Sequence, residues 1–180
     1  MNVIETKLKN CYILEPVVFK DERGSLFVSF KKNTFEELTG QNGTFVQDNQ
    51  SSSSYGVVRG LHLQKGEHAQ AKLVRVLEGR ILDVAVDLRK ESETYGQWVA
   101  VELSADNKKQ LYVPRGFAHG FSVLSQTASV LYKCDNFYHK ESEAGILYND
   151  PDLNIDWQMP KESMIISDKD MGLSSFKSWI

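Results

Sequence analysis

The seven residues Val58-Arg59-Gly60-Leu61-His62-Leu63-Gln64 read as a sheet strand into which a guanidinium and an imidazole have been set. An imidazole exchanges a proton near neutral pH, and a guanidinium grips anions through charge-assisted hydrogen bonds. The stretch therefore combines the means for acid–base chemistry with the means for holding an anionic group. Similar polar intrusions recur at Gln47 and Asn49, at Lys72 and at Tyr132. Period-two alternation puts Phe45, Gln47 and Asn49 on one strand face and Val58, His62 and Gln64 on a second. Lys72, Val74 and Val76 share a third, and Val130 and Tyr132 a fourth. Each face is apolar at one end and polar at the other. In a barrel or jelly roll, four such faces converge on an interior packed at the bottom and lined by donors and acceptors at the mouth.

Each residue also has an ordinary structural reading. A histidine on an apolar face is often a hydrogen-bonded core group, and a buried tyrosine hydroxyl often bonds to backbone. Gln47 and Asn49 suit a sheet edge. Lys72 either snorkels at an edge or faces a polar ligand, because an unpartnered buried ammonium costs several kcal/mol, roughly, or loses its proton. Strict alternation sends Arg59 to the face opposite His62, whereas a bulge at Gly60 would bring both to one side. Both arrangements stay open from sequence.

The elements that would position these groups are strands. The spacing predicts them over 12–19, 25–30, 44–49, 57–64, 72–77, 80–88, 98–103, 110–113, 121–124 and 128–133, with turn residues at short intervals between them. That is the pattern of an all-β antiparallel sandwich or barrel. One helix is predicted near 33–40, with Thr34-Phe35-Glu36-Glu37 as a capping box and Gly40 as its stop. A short helical turn is expected after Ser167. The run Ser51 to Ser54 reads as a polar loop. The stretch after Glu141 is expected to wrap the sheet and close with Met164 to Ile166.

The 180 residues fit one domain, 1–180, with a sizeable core. A hydrophobic content of 41% with 25% charged residues is ordinary for a soluble protein, and no apolar run is long enough to span a bilayer. Glu5, Lys7, Lys9 and Asn10 stand where a signal peptide needs apolar residues, so cytoplasm is the expected compartment. Cys11 and Cys134 are too few for a disulfide framework, which suits a reducing compartment. The net charge of −3 argues against binding a nucleic acid polymer.

Pro114-Arg115-Gly116-Phe117-Ala118-His119 resembles the second motif of metal-binding cupins. Such proteins carry His-x-His followed by Glu upstream. Here the upstream match is His62-Leu63-Gln64, with the second histidine missing and no glutamate at the expected distance, so His62 and His119 make a poor shell and no metal is expected.

Several motifs in order resemble the sugar-nucleotide 3,5-epimerases of deoxysugar biosynthesis. They are Phe19 to Gly24, Phe45 to Asn49, Val58 to Gln64, Ala69 to Arg75, Pro114 to Phe121 and Ser167 to Asp170, so the likeness covers nearly the whole chain. The resemblance implies a cupin-like jelly roll with a few short helices, a homodimer whose subunits exchange strands, no cofactor, and a dTDP-4-keto-6-deoxyhexose as substrate, inverted at C3 and C5. It makes His62 the base, polarised by Asp170, and Tyr132 the acid on the opposite face of the sugar, with Lys72 near the C4 carbonyl. Arg23, supplied by the partner subunit, and Arg59 would hold the diphosphate. Gln47, Asn49, His119, Glu143 and Lys169 match other ligand contacts, and Tyr138 matches the position that stacks on the base. Chemistry agrees with the roles. A proton next to a ketone can leave because the enolate spreads its charge onto oxygen, which needs a base, an acid and an oxyanion stabiliser.

Two positions depart from the family pattern: Val28 stands where a glutamate is usual, and Leu63 replaces an aromatic. The first leaves room for another nucleotide sugar or for inversion at one carbon only. A non-catalytic sugar-nucleotide-binding jelly roll and a metal-dependent cupin enzyme are the remaining alternatives.

Overall fold

A computed structural model describes residues 1–179. In chain order the strands and helices are β1 (Asn2–Glu5), β2 (Tyr12–Glu15), β3 (Val18–Asp21), β4 (Gly24–Phe27), α1 (Lys32–Thr39), β5 (Gln47–Ser54), β6 (Val58–Gln64), β7 (Lys72–Glu78), β8 (Arg80–Asp87), β9 (Trp98–Ser104), β10 (Gln110–Val113), β11 (Phe117–Val123), β12 (Thr127–Cys134), β13 (Glu143–Gly145) and α2 (Asp168–Met171). They form an antiparallel sandwich of the expected jelly-roll kind. One sheet has the order β1-β2-β10-β7-β12-β5 and the other β13-β6-β11-β8-β9, while β3 and β4 make a separate hairpin.

Three apolar layers hold this arrangement. Val74, Val76, Leu111 and Val130 of the first sheet meet Ile81, Ala85, Phe121 and Val123 of the second, forming the central core. The outer face of the second sheet carries Val58, Leu61, Leu82, Val84 and Val86, covered by Ile146, Leu153 and Trp157 from the C-terminal stretch. That stretch does wrap the sheet as expected. It is anchored by backbone bonds from Ile165 N–H to the Gly56 carbonyl at 2.8 Å and from Val58 N–H to the Ile165 carbonyl at 3.1 Å. The outer face of the first sheet is covered by Phe35 of α1 over Leu14, Leu73 and Tyr112.

Four of the departures from the sequence expectation have a clear physical cause. The strand predicted over 12–19 is broken at Pro16, which cannot donate to a ladder, giving β2 and β3. α1 starts at Lys32 without a side-chain cap, so the capping box does not form, although Gly40 does end it in the left-handed region at φ 68°. Ser51 to Ser54 are strand, not loop: β5 is an edge strand whose residues pair with β12 through Ser54↔Thr127. Edge position explains the polarity, since alternate side chains of β5 face water. Val58 lies in the outer layer rather than sharing the face of His62.

That last difference arises from a bulge. His119 pairs with His62 and Phe121 with Arg59, so three residues of β6 span two of β11. Gly60 at φ 123° takes up the extra residue, and a Cβ there would come within 2.6 Å of the Gly120 Cα. Arg59 and His62 consequently line the same cavity.

β8 is buried on both faces and carries two aspartates with fully buried side chains, Asp83 and Asp87. Asp87 accepts hydrogen bonds from Arg89 Nη2 at 2.7 Å, Ser92 Oγ at 2.6 Å and Thr94 Oγ1 at 2.7 Å. Burial alone would raise its pKa, but these donors win and hold it at about 2, against an ordinary 3.8. A depressed carboxylate stabilises the fold by an amount complete above the unfolded pKa and lost as the pH falls through the folded one. The depression corresponds to about 2–3 kcal/mol. Asp87→Asn is expected to lower stability by about that much at neutral pH, with the gap to the parent narrowing from roughly pH 4 towards 2; urea melts across that range check it.

Candidate active site

The polar ends of the strands converge on a two-lobed cavity. One lobe, about 290 Å³, is lined by Gln47, Asn49, His62, Gln64, Lys72, Tyr132, Tyr138 and Glu143. The other, about 280 Å³, shares His62, Lys72 and Tyr132 and adds Ser51, Arg59, His119, Lys169 and Asp170. A larger and more open hollow of about 750 Å³ lies beside Glu5, Lys9 and Arg89, away from these groups.

His62 comes from β6 in the five-stranded sheet, whereas Lys72 on β7 and Tyr132 on β12 come from the six-stranded one. The imidazole and the phenol therefore stand on opposite walls. His62 Nε2 is 2.6 Å from Asp170 Oδ1, and the other carboxylate oxygen accepts the Gly60 N–H at 3.1 Å. Asp170 reaches this position because α2 lays the C-terminal segment against β6, with Ser167 Oγ accepting the Asp170 N–H at 3.2 Å as the N-terminal cap. The helical turn expected after Ser167 is thus present. Burial would raise the Asp170 pKa, but the hydrogen bond and charge of His62 together with the Gly60 N–H hold it below the usual carboxylate value.

Burial raises the Tyr132 phenol above its ordinary value, so it keeps its proton. Burial pushes the Lys72 ammonium down, opposed by the negative ends of Cys134, Asp83 and Glu143. Lys72 Nζ lies 5.8 Å from the Tyr132 ring centroid.

At the mouth, the Tyr138 hydroxyl donates to Glu143 Oε2 at 2.9 Å and Lys169 Nζ reaches Glu143 Oε1 at 2.5 Å. Gln47 Oε1 accepts the Tyr138 N–H at 3.2 Å, and Gln47 Nε2 donates to Asn49 Oδ1 at 3.0 Å. Arg59 Nε donates to Ser53 Oγ at 3.1 Å.

Eleven of the residues singled out from sequence thus line one cavity. Arg23 does not: its side chain, 85% exposed, pairs with Asp21 at the tip of the β3–β4 hairpin. Val28 lies just beyond that hairpin, exposed. Leu63 is buried in the outer layer, a packing position. Among the described residues, no group of three or more His, Cys, Asp or Glu side chains is arranged to hold a metal ion. His119 is engaged by Asp83 at 2.8 Å instead.

The comparisons decide the family. The family model for dTDP-4-dehydrorhamnose 3,5-epimerase matches residues 5–178. The chain belongs to this epimerase family. The dTDP-4-dehydrorhamnose 3,5-epimerase of Salmonella typhimurium is 56% identical over 166 residues, covering 91% of each chain. The crystal structure of the enzyme of that name from Elizabethkingia anophelis superposes with a TM-score of 0.96 at 63% identity, over 99% of this chain and 97% of that one. A dTDP-6-deoxy-D-glucose-3,5-epimerase of Legionella pneumophila, solved in complex with dTDP-4-keto-L-rhamnose, gives 0.93 at 48% identity, over 98% of this chain and 93% of the other.

Two residues escape the sequence reading, one lining the epimerase's cavity and one bonded to its His119. Asp83 sits in the apolar run Ile81-Leu82-Asp83-Val84-Ala85-Val86, a polar intrusion of the same kind as Lys72. Ser51 was hidden by the loop-like appearance of its serine run, yet its hydroxyl is buried and lines the cavity.

Proposed function

We infer that the protein inverts C3 and C5 of dTDP-4-dehydro-6-deoxyglucose to give dTDP-4-dehydrorhamnose. The observation that carries this reading is the His62–Asp170 pair facing Tyr132 and Lys72 across one cavity. His62 takes the proton from a carbon next to the C4 ketone, and Asp170 orients the imidazole and stabilises the imidazolium formed. The electron pair moves onto the C4 oxygen, where the Lys72 ammonium stabilises the enolate. Tyr132 returns a proton to the same carbon from the opposite side, inverting it. The sequence is repeated at the second carbon flanking the ketone, and since no step changes the oxidation state of the sugar, the mechanism uses no redox cofactor.

Arg59, with Arg23 of the partner subunit, supplies positive charge for the diphosphate, with Gln47, Asn49, His119, Glu143 and Lys169 as further contacts and the exposed Tyr138 as the stacking platform for the base. A second reading, inversion at one carbon or a different nucleotide sugar, rests on Val28 in place of the family's glutamate. Proton NMR of dTDP-4-keto-6-deoxyglucose with the protein in deuterated water separates these readings. Loss of both the C3 and C5 hydrogens is the expected result, loss of one supports the second reading, and loss of neither overturns the first.

The working unit of this reading is a homodimer that exchanges strands. Phe19, Leu26 and Val28 are 65%, 74% and 56% exposed on or beside an isolated two-stranded hairpin, which is at best marginal alone. Arg23 at its tip then reaches the diphosphate site of the other subunit. Light scattering is expected to give twice the chain mass, and a fully active monomer would count against this arrangement. Two buried free thiols, Cys11 and Cys134, suit the cytoplasm as its compartment.

A further inference from the structure

Lys169 and Asp170 are consecutive residues of α2, a helix of only four residues. Asp170 holds the base, whereas Lys169 pairs with Glu143 of β13 at 2.5 Å. Beyond the helix's own cap and the two bonds of the Asp170 carboxylate, this is the one side-chain hydrogen bond among the described residues that ties α2 to the rest of the fold. The other oxygen of Glu143 accepts the Tyr138 hydroxyl at 2.9 Å. Tyr138 is half exposed; its backbone N–H is held by Gln47, and its side chain is bonded to Glu143. β13 sets the Glu143 carboxylate in register with the base, since Glu143 pairs with Gln64 and Gly145 with His62 of β6. Glu143 therefore joins the stacking platform at Tyr138 to the helix that carries the carboxylate behind His62.

The network can persist while a ligand is bound. An ammonium offers several donors and a carboxylate several acceptor sites, so Lys169 and Glu143 keep some free after bonding each other. The face of the Tyr138 ring stays available for stacking. Charge supports the same arrangement. Burial would raise the Glu143 pKa, but the hydrogen bonds from Lys169 and Tyr138 hold it below the usual carboxylate value, and Glu143 in turn raises both of its partners. We propose that Glu143 is a positioning residue, a strut through which occupancy of the nucleotide site fastens α2 and so holds Asp170 behind the base. Binding energy gained far from the reacting carbons is thereby used to order the catalytic pair. The nucleotide half of this inference rests on the epimerase reading; the fastening of α2 by Glu143 does not.

Amide exchange followed by NMR reads the strut directly. The reporters are the Gly60 N–H, which donates to Asp170, and those of Met171 and Gly172, which donate to the Ser167 and Asp168 carbonyls. Without ligand, Glu143→Gln, which keeps the shape and removes the charge, is expected to speed their exchange by about threefold to tenfold while the amides of β8 are unmoved. A change of less than about twofold overturns the proposal. Lys169→Met cuts the same bond from the other side and must give the same result. With saturating dTDP, the reporters in the parent are expected to slow further. Tyr138→Phe keeps the stacking ring without its hydroxyl, so it should bind dTDP within about threefold of the parent yet lack that slowing. Slowing equal to the parent's would separate the nucleotide from the strut and overturn the proposal.

With dTDP-4-keto-6-deoxyglucose, Glu143→Gln should lower kcat by a larger factor than it raises KM. A raised KM and weaker dTDP binding at unchanged kcat would make Glu143 a ligand contact only, and the proposal would fall. A parent that binds no dTDP and exchanges neither C3 nor C5 would sink the substrate reading and the nucleotide half with it, leaving the ligand-free exchange rates to judge the fastening of α2.

Discussion

Replacing His62 with alanine is expected to lower turnover of dTDP-4-keto-6-deoxyglucose by roughly 10³-fold or more, near the upper range for loss of a positioned proton-transfer group. The side chain is partly buried and its ring is held by Asp170 alone among the cavity carboxylates, so truncation removes the base without opening the central core. Neither C3 nor C5 should exchange with solvent deuterium in this variant, because one imidazole serves both carbons. Binding of dTDP should be nearly unchanged, since the diphosphate and base contacts are made elsewhere in the cavity. Exchange at either carbon at the parent rate would remove His62 from the role of base.

Tyr132→Phe is expected to separate exchange from inversion. The phenol stands on the wall opposite His62 and keeps its proton because burial raises its pKa. With the hydroxyl gone, His62 can still remove a proton and return a deuteron to the same side. Solvent label should therefore enter the substrate while formation of the inverted sugar falls by about 10²–10⁴-fold. The two rates are read together by NMR from one sample in deuterated water. Inversion at the parent rate would mean that another donor, or water, reaches the far face. The ring itself packs against the core, and the Phe variant preserves that contact.

Much of this site was legible because strand alternation is a strong signal wherever one face is buried. Lys72, Val74 and Val76 share an inward face as predicted, as do Val130 and Tyr132. Alternation failed at β6 because the bulge inserts a residue, and Gly60 marked its place without saying which way Arg59 would turn. It failed at β5 for another reason: an edge strand half in water has the composition of a loop. Asp170 was assigned only by family likeness, since nothing local in the sequence says that a segment 108 residues away will fold back onto His62. Asp83 was missed although its neighbours are uniformly apolar; an acidic residue inside a fully buried strand signals a polar partner within the sandwich.

The attachment of Asp170 to the C-terminal wrap divides the molecule into parts of unequal durability. The base sits in the middle of a hydrogen-bonded sheet, but the carboxylate behind it rides on a four-residue helix. Few bonds must open for that segment to lift while both sheets stay intact. Heat or proteolysis should then silence the enzyme before it melts, so loss of activity would report on the fastening of the last strip of chain and not on the survival of the fold.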